Sequence, residues 1–202
     1  MSTVFVDVDT QMDFLYPAGA LYVPGAEKIV ANVARLNHFA ASSGFPLISD
    51  VDAHAENDPE FREWPAHCVA GTAGQAKPQA TLLEKRVILS SRAPLDGWPA
   101  GAGQILLEKQ ALDAFSNPRL PGFLEALGAG RFVVYGVVTE ICVERVIAGL
   151  LATQKRVELV TDAIRHLDEA KARALMQALQ EAGVFLTTTD QAASAGTSTR
   201  LA

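Results

Sequence analysis

Short apolar runs alternate with helical patterns along this chain, and that alternation constrains the fold more than any other feature. The runs are mostly apolar, continuous rather than alternating, and rich in β-branched residues, at residues 3–8, 46–49, 104–107, 131–137, 156–160 and 184–187. Such runs are typical of parallel strands that are covered on both faces. Helical periodicity occupies residues 25–43, 120–127, 141–153 and 168–182. We therefore predict an α/β fold, a Rossmann-like three-layer α/β/α sandwich around a mainly parallel sheet.

The size and composition of the chain favour a single domain over residues 1–202. Of these residues, 49% are hydrophobic and 20% are charged, which suits one globular core better than a disordered chain. The formal net charge of -6 argues against nucleic acid as a partner, because proteins that bind nucleic acid usually carry a basic surface. No run approaches the roughly 20 apolar residues that span a bilayer, so we expect no membrane partner. Two cysteines are too few for a disulfide scaffold and fit a cytoplasmic setting.

Two segments depart from the alternation of strands and helices. Residues 53–103 form a long excursion that contains both tryptophans and two of the four histidines. Long irregular loops in compact domains are usually functional or disordered, and these residue types favour a loop that binds metal or substrate. Residues 192–202 are mostly small and polar, and we predict that this tail frays.

Polar side chains follow four of the predicted strands. Asp9 follows the first strand, Asp52 and His54 follow the second, Lys109 follows the third, and Cys142 follows the fourth. In open parallel sheets, ligands bind beyond the carboxyl ends of the strands. We therefore expect these side chains to converge on one edge of the sheet.

Cys142 is the candidate nucleophile among them. The predicted strand, turn and helix place its thiol in the first turn of the helix, where free amide donors and the helix dipole favour the thiolate. Backbone N–H groups of the same turn suit an oxyanion hole. The alternative is a buried cysteine that serves only as a small hydrophobic residue.

Asp9 and Lys109 are candidate partners of that thiol. A carboxylate at the end of a strand suits a general base. A lysine close to a thiol and an acid lowers the cost of ionising both of them. Taken alone, Asp9 also fits a solvated strand-end acid or a helix cap, and Lys109 also fits a surface lysine.

Asp52, His54, Glu60 and His67 form a candidate metal-binding set. Residues two apart in an extended segment point to the same side, so Asp52 and His54 face the same way. Carboxylate oxygens mixed with imidazole nitrogens suit zinc, iron or manganese better than a soft metal. The alternative is a group of unrelated polar residues on a surface loop.

Three motifs in a fixed order resemble those of the isochorismatase-like cysteine hydrolases. The opening motif D-x-Q-x-D-F resembles residues 9–14 (DTQMDF). The segment K-x-x-x-S-A-F resembles residues 109–115 (KQALDAF), and the nucleophile turn G-x-x-T-[DE]-x-C-V resembles residues 136–143 (GVVTEICV). The resemblance runs from residue 3 to about residue 190, and thus covers nearly the whole chain.

This resemblance implies a catalytic triad and an oxyanion hole. The triad consists of Asp9, Lys109 and Cys142, and the oxyanion hole consists of the backbone N–H groups of Val138 and Cys142. It also implies a cis peptide bond just before Val138.

The sequence departs from the family pattern at three places. Met12 stands where asparagine is usual, and Asp113 stands where serine is usual. The pair Val137-Val138 stands where small residues often occur, and we expect the bulkier pair to narrow the pocket. Neither Met12 nor Asp113 is a triad position.

The excursion resembles nicotinamidases in particular. Residues 64–74 (WPAHCVAGTAG) resemble their stretch W-P-x-H-C-V-x-G-T-x-G, and Asp52-Ala-His54 resembles their D-x-H metal motif. This implies one divalent metal ion, with zinc ahead of iron or manganese, bound by Asp52, His54 and His67. Glu60 stands where some of these enzymes supply a fourth ligand. Its rivals are the neighbouring acids Glu56, Asp58 and Glu63.

The implied reaction is hydrolysis of nicotinamide to nicotinate and ammonia through a cysteine thioester. The ring would be flanked by Phe14 and Trp64, with Leu21 on the far wall. Relatives are often dimers or tetramers, so we expect a homo-oligomer. Other readings remain open: an amide hydrolase for a carbamoyl or ureido substrate, isochorismatase itself, and a non-catalytic binding protein on the same scaffold.

Overall fold

The computed structural model describes residues 2–90, 97–117 and 120–194. Its strands are β1 (Ser2–Val8), β2 (Leu47–Asp52), β3 (Arg86–Leu89), β4 (Gln104–Lys109), β5 (Ala129–Val137), β6 (Arg156–Arg165) and β7 (Phe185–Thr187). In this part of the chain they form one sheet in the order β3-β4-β2-β1-β5-β6-β7. Every neighbouring pair is parallel. The predicted α/β class is confirmed.

Helices connect the strands. They are α1 (Met12–Leu15), α2 (Val30–Ser42), α3 (Leu120–Ala126), α4 (Glu144–Leu151), α5 (Glu169–Glu181) and α6 (Thr189–Ser194). Two predicted helices begin differently from the prediction. The pattern at residues 25–43 starts with a 3₁₀ turn (Ala26–Ile29), and the pattern at residues 141–153 starts with a π-helical turn (Thr139–Val143).

The core lies on both faces of the sheet, which makes the fold three-layered. Val4, Val6 and Val8 of β1 pack into one hydrophobic cluster, with side chains of α3 and α4. Phe5 of the same strand packs into the other cluster, with side chains of α2. Because successive side chains of a strand point to opposite faces, this division shows that helices cover both sides of β1. It also explains why the strand runs do not alternate between apolar and polar residues.

The excursion differs from the prediction in one respect. Residues 53–103 were expected to be irregular, but they contain the edge strand β3, which pairs with β4 in the register Val87↔Ile105. Burial alternates along β3, and Ile88 is 62% exposed. A short, half-exposed edge strand carries no continuous apolar run, so the criterion used for buried strands misses it. Residues 91–96 of the excursion lie outside the described residues.

The predicted frayed tail begins too early. Helix α6 extends to Ser194, and Ala192 is fully buried. The remainder of the tail, residues 195–202, lies outside the described residues. In the part of the chain that the structure covers, we find no helix that combines the length and apolarity needed to cross a bilayer.

Candidate active site and metal centre

The carboxyl ends of four strands bring the candidate chemistry together. Asp9 directly follows β1, Asp52 ends β2, Lys109 ends β4, and Cys142 lies in the π-helical turn after β5. Asp52 and Lys109 are register partners in the pairing of β2 with β4. Each of the four residues is at most 5% exposed. The structure therefore places a thiol, two carboxylates and an ammonium group in one buried region, as expected for the end of a parallel sheet.

Lys109 joins the candidate base to the candidate metal ligands. Its Nζ lies 3.0 Å from Oδ2 of Asp9 and also donates a hydrogen bond to Oδ1 of Asp52. Burial alone would lower the pKa of Lys109, but the charges of Asp52, Asp9 and Asp50 outweigh it and raise this pKa well above its usual value. Lys109 is therefore a permanent cation shared by two carboxylates.

Asp9 has the protonation behaviour of a general base. Burial, followed by the charge of Asp52, raises the pKa of Asp9 to about 7, although Lys109 and the Cys142 thiol oppose the shift. Its Oδ1 is buried and makes no hydrogen bond within the described structure. An acid with a pKa near neutrality and a free oxygen is suited to accept a proton and later to return it.

Cys142 is buried, and its surroundings oppose the thiolate that its position in the turn was expected to favour. Burial, followed by the charge of Asp9, raises the pKa of Cys142 well above its usual value, and Lys109 opposes this only in part. Desolvation of the thiolate raises the pKa more than the N-terminal end of the helix lowers it. A nucleophile at this position therefore depends on a base, and Asp9 is the acid that interacts with it.

The turn that carries Cys142 follows a closely packed glycine and contains a cis peptide bond. Gly136, with φ of 126°, lies so close to β1 that a Cβ there would be 2.0 Å from the carbonyl oxygen of Val8. The Val137–Val138 peptide bond is cis, as the resemblance implied. The backbone N–H groups of Ile141 and Val143 both donate to the carbonyl of Val138 at 3.1 Å, so these two amides are already occupied.

Asp52, His54 and His67 form a buried group that fits a metal ion. Oδ2 of Asp52 lies 3.7 Å from Nε2 of His54 and 3.8 Å from Nε2 of His67. Two ligands at zinc–ligand distances from one ion lie at most about 4.4 Å apart. One oxygen and two nitrogens are thus arranged closely enough for a single ion to touch all three.

Unsatisfied polar atoms support the fit. Both ring nitrogens of His54 are buried and make no hydrogen bond within the described residues, although Oδ2 of Asp58 lies 3.1 Å from Nδ1. Nδ1 of His67 lies 2.7 Å from the carbonyl oxygen of Pro65, an acceptor, which leaves the lone pair on Nε2 for a metal. Burying a histidine nitrogen without a hydrogen-bond partner costs free energy of folding unless the nitrogen binds a cation or a proton.

Glu60 and Asp58 are the candidate acids that approach the histidines of this group, and with His54 they form a second set of potential ligands. Oε1 of Glu60 lies 3.8 Å from Nε2 of His67, and this oxygen is buried without a hydrogen bond to any described residue. Asp58 approaches the other nitrogen of His54, where it can orient the ring, and its Oδ1 accepts a hydrogen bond from the N–H of Glu60. Glu56 and Glu63 are exposed.

Gln11 and Asp13 hold the metal group in place, and our reasoning from the sequence missed both. The side chain of Gln11 accepts a hydrogen bond from the N–H of Asp52 at 2.7 Å and donates to its carbonyl at 2.8 Å. The carboxylate of Asp13 accepts from the N–H of Cys68 at 2.7 Å, next to His67, and from the N–H of Ala20 at 2.9 Å. Their place in the D-x-Q-x-D-F motif was the only signal in the sequence.

We expect Asp13→Asn to weaken zinc binding by roughly 10- to 100-fold, the usual effect of losing a group that orients ligands. Asparagine has nearly the same size as aspartate, but its amide NH₂ would face the backbone N–H of either Cys68 or Ala20, and two donors cannot form a hydrogen bond. The measurement is zinc affinity by competition with a chromogenic chelator. Asp162→Asn is the matched control, because Asp162 also accepts two bonds, both from Thr189, away from the site. Equal affinity in folded Asp13→Asn and wild-type protein would contradict the positioning role.

One pocket joins the thiol to the metal group. It is a narrow cavity of about 30 Å³, and its lining includes Cys142, Val138, Asp52, Glu60 and His67. The three residues expected to flank a substrate ring also line it: Phe14, Leu21 and Trp64. The ring of Phe14 lies 5.3 Å from that of His67. Asp9, Lys109 and His54 are buried and are not among its lining residues.

A larger cavity lies elsewhere, beside α3. Its ionisable lining residues are Glu125 and Lys155, and it contains none of the candidate site residues. Size alone would select that cavity, but convergent titratable groups identify the smaller pocket as the candidate active site.

Comparisons with known proteins agree with the fold and the motifs. The model of the isochorismatase domain matches residues 3–191. The pyrazinamidase of Pyrococcus horikoshii in complex with zinc is 26% identical, with 93% of this chain and 99% of that chain covered and a TM-score of 0.76. The N-carbamoylsarcosine amidase of Thermoplasma acidophilum is also 26% identical, with 94% and 98% covered and a TM-score of 0.74.

A third solved structure, PnC1 from L. infantum in complex with nicotinate, is 27% identical, with 94% of each chain covered and a TM-score of 0.72. The structural neighbours thus include proteins named for two different amide substrates. The family model covers far more than half of the chain and includes the turn of Cys142. The chain therefore belongs to the isochorismatase family of hydrolases.

Proposed function

We propose that this protein is a nicotinamidase, which hydrolyses nicotinamide to nicotinate and ammonia through a thioester on Cys142. The main support is that one pocket is lined both by the Cys142 thiol and by the group Asp52, Glu60 and His67. A pyridine carboxamide has two polar features to be recognised, the amide carbonyl and the ring nitrogen. A nucleophile and a metal-binding group within one small pocket suit such a substrate.

The proposed acylation step uses three side chains and two amides. Asp9 takes the proton of Cys142, and the thiolate attacks the amide carbonyl while Lys109 stabilises both anions. The backbone N–H groups of Val138 and Cys142 donate to the oxyanion. The proton then passes from Asp9 to the leaving nitrogen, the C–N bond breaks, and ammonia departs from the thioester.

Deacylation reuses the same base. Asp9 takes a proton from a water molecule, which attacks the thioester carbonyl, and the C–S bond breaks to release nicotinate. The proton returns to the thiolate of Cys142. Phe14, Leu21 and Trp64 pack against the ring and exclude water from it.

Asp52, His54 and His67, with Glu60, would hold one divalent cation. The zinc complex of the P. horikoshii pyrazinamidase makes zinc the first choice, ahead of iron or manganese. When bound, the cation would supply a Lewis acid that orients the ring nitrogen. The proposal also includes a cytoplasmic homo-oligomer, supported by two free cysteines and by the family resemblance.

A carbamoyl or ureido amide is the second candidate substrate. It is favoured by the N-carbamoylsarcosine amidase, which is as similar to this chain as the pyrazinamidase is. The Asp52, His54 and His67 group argues for the pyridine amide. A purely binding role gives no reason for the buried cluster of Asp9, Lys109 and Cys142.

Ammonia release from nicotinamide and from N-carbamoylsarcosine by the zinc-loaded protein separates these candidates. We expect release from nicotinamide, lost on removal of zinc with a chelator and restored by its return. Faster release from N-carbamoylsarcosine would replace the proposed substrate. No release from either compound would argue against both.

We expect kcat/KM to rise with pH through the pKa of Asp9, which burial and Asp52 raise to about 7 in the metal-free protein. The base form is the ionised form, so activity falls as pH drops below that pKa. A cation bound to Asp52 offsets the negative charge that helps to raise the pKa of Asp9. In the zinc-loaded enzyme, the fall of kcat/KM on the acid side should therefore occur at lower pH. The check is kcat/KM from about pH 5 to about pH 9. A flat profile across this range would contradict the role of Asp9.

A further inference from the structure

The pocket has a buried floor and an apolar rim. On the floor, Phe14, Val23, Val138 and Cys142 are at most 6% exposed. The rim consists of partly exposed side chains from separate segments of the chain: Leu21, Trp64, Leu112, Ile141 and Leu167. Single exposed leucines are ordinary on protein surfaces, but a ring of apolar side chains around a pocket marks a ligand-binding surface.

The rim is held in place by hydrogen bonds to the site itself. Oε1 of Glu140, in the turn that carries Cys142, accepts from the N–H of Leu167 at 2.9 Å and from that of Asp168 at 2.7 Å. On the other segment, the N–H of Leu21 donates to the carbonyl of Asp13 at 3.1 Å. These bonds tie the backbone of Leu167 to the turn of Cys142 and the backbone of Leu21 to Asp13, although Leu167 is 44% exposed.

The carboxylate and imidazole side chains in the described pocket lining are Asp52, Glu60 and His67, which belong to the candidate metal group. The chain carries a formal net charge of -6. No lysine or arginine of the described structure lines the pocket to receive a carboxylate. An anionic substituent that reached the rim would lose hydration without gaining a partner.

We propose that the preferred substrates are neutral heteroaromatic primary amides that carry an uncharged apolar substituent on the ring. The substituent would lie against the rim, with Leu112 and Leu167 as the residues that determine specificity. This inference rests on the proposed function, because it assumes that the ring lies on the floor with its amide at Cys142. Nicotinamide would then be the smallest member of the class.

The test compares kcat/KM for nicotinamide, 5-propylnicotinamide and 5-(carboxymethyl)nicotinamide. The zinc-loaded wild-type enzyme is assayed with two variants. Leu167→Ser removes apolar surface from the rim. Ile88→Ser is the matched control, because Ile88 is 62% exposed on the edge strand β3 and does not line the pocket. An enclosed methylene group is worth 10-fold or more, so at an open rim we expect the propyl group to raise kcat/KM by roughly fivefold.

The inference predicts that the propyl-to-nicotinamide ratio of kcat/KM falls to about one in Leu167→Ser and stays at the wild-type value in Ile88→Ser. The carboxymethyl compound should be the poorest of the three. A wild-type enzyme that hydrolyses nicotinamide but prefers it to the propyl compound would overturn the inference alone, as would a ratio unchanged by Leu167→Ser. No hydrolysis of nicotinamide would overturn the proposed function and this inference with it.

Discussion

Replacing Cys142 with alanine is expected to lower kcat for nicotinamide by about 10⁴-fold or more, because covalent catalysis loses its nucleophile. Cys142 is 5% exposed and loses only its sulfur atom in this variant, so the fold should persist. The measurement is ammonia release at saturating nicotinamide, with circular dichroism to verify folding. Residual activity within tenfold of wild type would contradict the assignment.

Cys68→Ala is the matched control for this experiment. Cys68 is the other cysteine of the chain, and it is equally buried and free. Its thiol does not line the pocket, and its hydrogen bonds to Asp13 and His54 are made by its backbone N–H and carbonyl, which alanine retains. We expect Cys68→Ala to keep at least about one tenth of the wild-type kcat, since removing one buried sulfur atom costs stability rather than chemistry.

Lys109→Met is expected to destabilise the metal-free protein by about 3–5 kcal/mol, the usual cost of leaving buried charges unpaired. Lys109 is 3% exposed and contacts Asp9 and Asp52, which are themselves at most 2% exposed. Without the ammonium group, both carboxylates must remain charged without compensation or become protonated. Lower pH should therefore recover part of the loss, because protonation neutralises them. The free energy of unfolding in urea measures the effect.

Lys171→Met is the control for loss of an ordinary lysine. Its side chain is 75% exposed and lies 4.0 Å from Asp168, a surface ion pair worth little. We expect a change within about 0.5 kcal/mol. If the free energy of unfolding of Lys109→Met lies within about 1 kcal/mol of the wild-type value, the shared ion pair contributes far less to stability than its burial suggests.

The fold could be predicted because strands that are buried on both faces of the sheet have a recognisable apolar pattern in the sequence. The strands nearest the centre, such as β1 and β5, are mostly apolar without alternation, which distinguishes their pattern from that of a half-exposed strand. Strand β3 escaped prediction because it lies at an edge, where one face is exposed. Helix α6 escaped because its small and polar residues resemble a disordered tail, although Ala192 is fully buried.

The residues of the candidate site were predictable from motifs and strand ends, but their protonation states were not. Sequence position suggested a thiolate at Cys142, whereas the fold buries the thiol beside the negative charge of Asp9 and raises its pKa. Burial depends on packing by distant segments, which local sequence does not record. Gln11 was missed for the same reason, because its bonds to Asp52 span 41 residues of chain.

The most direct test of the thioester mechanism is the partition of the acyl group between water and hydroxylamine. Nicotinamide and methyl nicotinate share this acyl group, so each is incubated with the zinc-loaded enzyme and hydroxylamine, and nicotinate and nicotinohydroxamate are quantified. If both substrates form the same thioester on Cys142, the ratio of hydroxamate to nicotinate must be identical for the two. Different ratios would show that water attacks the bound substrates directly, and would contradict the proposed role of Cys142.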